Sequence, residues 1–76
     1  MTRELVPLQD LLLRFLRSNL IGKRVTLLRT SDPYTDLKAG DEGVVDYIDD
    51  MGTVFVKWDN GSSLGLIEGE DLWQYQ

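Results

Sequence analysis

Cysteine and histidine are both absent from the 76 residues. Without cysteine there is no disulfide framework and no thiolate zinc site, and the composition fits a reducing compartment. Without histidine the commonest metal ligand and the commonest general base are missing. A metal would have to be a hard cation held by carboxylates, and no EF-hand spacing is present. No metal and no cofactor is therefore expected. Long apolar runs are lacking too. The stretch Leu11-Leu12-Leu13-Arg14-Phe15-Leu16 is broken by an arginine and is far short of the ~20 residues a membrane span needs. No small-residue cleavage site follows it, so the expectation is no signal peptide, no membrane partner and a cytoplasmic location in a bacterial cell. No P-loop occurs, and without histidine or cysteine there is no Ser-His or Cys-His nucleophile pair. No catalytic residue is nominated, and an enzyme is not expected.

What is present is charge of one sign in the larger part of the chain. The net charge is −5. Residues 1–29 hold Arg3, Arg14, Arg17, Lys23, Arg24 and Arg29 against Glu4 and Asp10, a net +4. Residues 30–76 hold Lys38 and Lys57 against eleven acids, a net −9. Such an acidic segment repels nucleic acid, so direct DNA or RNA binding by it is not expected. A chain of this length makes one small domain, which buries only roughly 60% of its unfolded surface.

The apolar pattern changes period at Gly22. Before it, Pro7 suits the first helical position, and Leu8, Leu11, Leu12, Phe15 and Leu16 recur at i, i+3, i+4, i+7 and i+8. Leu13 widens that face. Asp10 near the start and Arg17 near the end suit the helix dipole, and Ser18-Asn19 offers an end. After Gly22 the period is two. Val25 and Leu27 share one face of a first strand. Gly43 to Ile48, Thr53 to Trp58, Ser62 to Ile67 and Leu72 to Tyr75 supply four more. Asp49-Asp50-Met51-Gly52 and Asp59-Asn60-Gly61 are turns, the second carrying the Asn-Gly hairpin signal. Gly65 suggests a bulge or bend within the fourth strand. The expected architecture is mainly β: a small five-stranded barrel over residues 21–76, preceded by an amphipathic helical extension over residues 1–20.

The residues then resemble a known family. Ile21-Gly22-Lys23-Arg24-Val25, Asp32-Pro33-Tyr34-Thr35, Leu37 to Gly43, Met51-Gly52-Thr53-Val54, Trp58 to Ser62 and Leu64 to Asp71 are similar to the DUF4314 family, a short bacterial and phage domain of unknown function. The resemblance runs from about Leu20 to Trp73. The Val-x-Trp-Asp-Asn-Gly segment is also similar to Mib/Herc2-type domains, and Gly-Asp-Glu-Gly-x-Val resembles the opening of KOW-like barrels. The resemblance implies an SH3-like barrel in a phage or mobile-element setting, and no activity. It leaves the N-terminal helix outside the match, as an addition.

Candidate contact residues lie in the turns. Asp41-Glu42 and Asp49-Asp50 are paired acids that could bind a partner, or simply cap solvated turns. Asp32, Tyr34 and Asp36 sit in the long loop between the first two strands. There a tyrosine beside acids suits a basic peptide, the alternative being turn chemistry with Tyr34 folded over the barrel. Trp58-Asp59-Asn60 could form a ligand lip, although Trp58 shares a face with the core candidates Val54 and Val56. Trp73 and Tyr75 are expected to seal the barrel base against the helix. Leu12, Leu13, Phe15 and Leu16 either cap the barrel or form a homodimer or partner surface. The functional expectation is a binding module whose acidic barrel contacts a basic protein surface. The alternative is a phage inhibitor of a host nucleic-acid-binding defence protein, an anti-CRISPR-like DNA mimic.

Overall fold

The computed structural model describes residues 8–76. Pro7 lies outside them. One helix, α1 (Leu8–Leu20), is followed by five strands: β1 (Arg24–Arg29), β2 (Glu42–Ile48), β3 (Val54–Trp58), β4 (Gly65–Leu66) and β5 (Leu72–Tyr75). They form a single sheet in the order β4-β3-β2-β1-β5, with every strand pair antiparallel. The mainly β expectation holds.

The sheet is curled by its last connection. Strands β4 and β5 are the two opposite edges, yet only five residues join them. The Asp71 and Glu70 amides both donate back to the Ile67 carbonyl, at 2.9 and 3.1 Å. In a flat five-stranded sheet the edges would stand about 19 Å apart, which a hydrogen-bonded turn cannot span. The sheet therefore rolls until its edges meet at this turn, where Glu68 and Asp71 form an isolated bridge.

The concave face is the core. Val25, Leu27, Val45, Val54, Val56, Trp58 and Leu66 are buried at the period of two that the sequence shows, and Leu37 joins them from the β1–β2 loop. Trp58 belongs to this core, and its indole N–H donates to the Leu64 carbonyl at 2.9 Å. In β2 the register slips between Val45 and Tyr47. Such a slip reverses which side chains face inward. Tyr47 consequently turns outward and stacks on Phe55, ring centroids 4.4 Å apart, while Ile48 turns in against the core.

Two expectations need correction, and one open alternative is decided. The fourth strand is two residues long rather than running from Ser62 to Ile67. At Gly65 the backbone passes so close to β3 that an added Cβ would lie 2.9 Å from the Thr53 methyl and 3.2 Å from the Phe55 ring. The helix does not cap the core: no residue of α1 is buried, and Leu8, Leu11, Leu12, Phe15 and Leu16 are each about half exposed or more. Tyr34 is not folded over the sheet but is 93% exposed.

Candidate functional site

The turn acids act first on their own backbone. Asp32 Oδ1 accepts the Tyr34 amide at 2.9 Å, closing an Asx turn before the exposed ring. Asp41 Oδ2 accepts the Lys38 amide at 2.8 Å. Asp49 Oδ1 accepts the Met51 and Thr53 amides at 3.0 and 2.9 Å, which pins the β2–β3 turn. Asn60 Oδ1 accepts the Ser62 amide at 2.9 Å in the turn after β3. Each leaves its second side-chain polar atom outside these bonds. Asp36 and Asp50 are exposed.

Two further candidates are drawn into an ion network. Arg24 on β1 lies between Asp59, at 2.5 Å, and Glu42, at 3.5 Å. Hydrogen bonding to Asp59 first, and then the Asp59 charge with the Glu42 hydrogen bond and charge, raises the guanidinium above its ordinary pKa. The Gln76 side chain also donates to Glu42. Lys57 and Asp46 pair more loosely at 3.8 Å on the outer face, beside the Tyr47–Phe55 stack.

The candidates do not converge on one spot. Glu42 and Asp49 bracket β2, a strand of seven residues, which places them about 20 Å apart at a strand's usual rise. Asp41, Glu42, Asp59 and Asn60 lie toward one end and Asp49-Asp50 toward the other. Asp32, Tyr34 and Asp36 occupy the β1–β2 loop. The geometry is a distributed acidic surface, not a pocket. Among the described residues no group of three or more acids stands close enough to hold a metal ion, and every buried side-chain polar atom has a hydrogen-bond partner.

Asp71 is the polar residue whose role the sequence hides. It is 8% exposed. Its Oδ1 accepts the Thr30 hydroxyl at 2.8 Å and the Ser31 amide at 3.2 Å, and its Oδ2 accepts the Ile67 amide at 2.9 Å. One carboxylate thus ties the end of β1 to the turn that closes the sheet. No local signal separates it from Glu68 and Glu70 beside it.

A groove runs between α1 and the sheet, lined by Leu13, Arg17, Leu20, Ile48, Trp73 and Tyr75. Trp73 and Tyr75 pack partly against the core, and face the helix across this groove rather than sealing it. The Arg17 guanidinium lies 3.6 Å from where a Cβ on Gly52 would sit. Asp10, Arg14 and Arg17 flank Asp50 in a second cleft. The helix therefore turns its charged side to the β2–β3 turn. Residues 12, 13, 15 and 16 are split by this arrangement: Leu13 faces the groove, while Leu12, Phe15 and Leu16 face away.

No helix among the described residues is long and apolar enough to cross a membrane. No curated protein and no solved structure matches the chain. One family model does, over residues 9–75, and its description is "Domain of unknown function (DUF4314)". That match takes in nearly all of α1, so the helix is part of the family's domain and not an addition to it, which corrects the shorter extent expected from the motifs. On a match over most of its length, the chain belongs to the DUF4314 family.

Proposed function

We propose that this domain is a non-enzymatic protein-binding module of SH3-like type, working in a bacterial cytoplasm in a phage or mobile-element setting. Its acidic half contacts a basic surface on a partner protein. One observation carries this reading: the negative charge of residues 30–76 is mostly left uncompensated. Of the eleven acids there, the ion pairs among the described residues take up only Glu42, Asp46 and Asp59, leaving eight. Asp71 alone among the described charged residues is buried. The rest present carboxylate oxygens around loops whose backbones are fixed by Asx-type bonds. Such a surface steers a cationic partner and holds its own shape while doing so.

Titration of the full chain with a lysine-rich peptide by calorimetry at low and high salt tests the proposal. Binding that weakens steeply with salt supports it, because exposed charges are screened within about 10 Å at 0.1 M salt. Salt-independent binding, or none at low salt, contradicts it. The rival reading, an inhibitor occupying the nucleic-acid groove of a defence nuclease, draws on the same charge. It predicts that excess protein blocks DNA loading or cleavage by a purified CRISPR effector.

A further inference from the structure

The helix presents its apolar stripe to solvent and its charged residues to its own domain. Arg17 lies about 140° around the helix from Leu12, and it is Arg17, Leu13 and Leu20 that line the groove against the sheet. On the outward side, Leu8, Leu11, Leu12, Phe15 and Leu16 are 71, 49, 53, 65 and 57% exposed. A helix of 13 residues is marginal alone in water, and this one contributes nothing to the buried core. Among the described residues the stripe is thus an apolar surface without a partner.

We infer that a second copy of this chain covers the stripe, the two α1 helices packing antiparallel about a twofold axis near Leu12. Charge selects this occupant. The stripe itself contains no charged residue, since Asp10, Arg14 and Arg17 all sit on the opposite side, so a basic partner gains nothing there. An anionic membrane surface would attract the net +4 of residues 1–29 but repel the net −9 carried by residues 30–76 of the same small domain, so charge gives it no net advantage. A second stripe is equally uncharged and of the same length. Antiparallel packing sets the N-terminus of each helix beside the C-terminus of the other, so their dipoles oppose, and it keeps each acidic sheet on its own side of the helix pair, where salt screens their repulsion. The seam Leu8-Leu12-Phe15 has the alternating four- and three-residue spacing of helix pairs. Five side chains on one 13-residue helix make a smaller patch than the about 800 Å² per partner of a standard interface, so the expected dimer is weak and concentration-dependent.

Light scattering on a sizing column tests this with the full chain. Near 100 μM, a micromolar dimer gives a mass near twice 8.7 kDa, and Leu12→Asp returns it to one while the protein still unfolds cooperatively. The chain has no cysteine, so single-cysteine variants give an independent readout. Leu12→Cys forms a disulfide-linked dimer under mild oxidation, and Arg14→Cys, on the opposite side, does not. A wild-type monomer at that concentration overturns the inference, as does equal cross-linking of the two cysteine variants. Sedimentation of a monomeric wild type with phosphatidylcholine–phosphatidylglycerol vesicles, abolished by Leu12→Asp, overturns it in favour of a lipid surface.

Discussion

Thr30 donates its hydroxyl proton to Asp71 at 2.8 Å, across 41 residues of sequence. The bond joins the end of β1 to the turn that returns the chain from one sheet edge to the other. It makes the curl of the sheet depend on one buried carboxylate.

Replacing Asp71 should therefore open the sheet. Asp71→Ala leaves the Thr30 hydroxyl and the Ser31 and Ile67 amides without their acceptor. Unpaired buried donors cost about 1–3 kcal/mol each, and partial access to water lowers the sum to about 2–4 kcal/mol. In a domain of this size that lowers the melting temperature by roughly 10 °C or more. Asp71→Asn, which keeps one acceptor oxygen, falls between. Thermal unfolding followed by circular dichroism checks the order.

Gly43 should tolerate no side chain. A Cβ there would sit 2.6 Å from both the Lys57 carbonyl oxygen and a Val56 methyl, and 2.8 Å from the Trp58 Cα. Two of those three atoms are backbone, so the contact cannot be relieved by a rotamer change. Gly43→Ala should cost about 1–3 kcal/mol, read as a lower urea midpoint with an unchanged slope.

The helix and the core should respond oppositely to substitution. Leu27 is fully buried, and Leu27→Ala should cost about 2–5 kcal/mol. Leu12 is 53% exposed, and Leu12→Asp should change stability by less than about 0.5 kcal/mol in dilute protein. Dilution matters because self-association would itself add stability by mass action. Urea unfolding of both variants at low concentration decides the point.

These contrasts show where the sequence was readable. Val25 and Leu27, and Val54, Val56 and Trp58, alternate cleanly because each strand buries one face, and the burial follows the alternation. The turn acids were readable for the same reason: an Asx bond needs only neighbours. Asp71 was not, since its hydroxyl partner lies 41 residues away and nothing nearby marks it. The slip at Asp46, which turns Tyr47 outward onto Phe55, is a ladder property with no local cue. Leu37 enters the core from a loop, where no periodicity announces it. The helix was legible as a helix with an apolar stripe, but amphipathicity names a face without naming what covers it. Its direction comes only from the structure, which sets Arg14 and Arg17 beside Asp50 and Gly52 of the β2–β3 turn.

The most direct test of the acidic surface is to neutralise it while keeping the side-chain bonds that hold the turns. Asp36, Asp50, Glu68 and Glu70 are exposed and lie outside the ion pairs among the described residues. Asp36→Asn, Asp50→Asn, Glu68→Gln and Glu70→Gln combined should leave the circular dichroism and melting temperature nearly unchanged. Affinity for a lysine-rich peptide at low salt should fall at least about tenfold, or about 1.4 kcal/mol. Wild-type affinity in the neutralised protein would contradict the account.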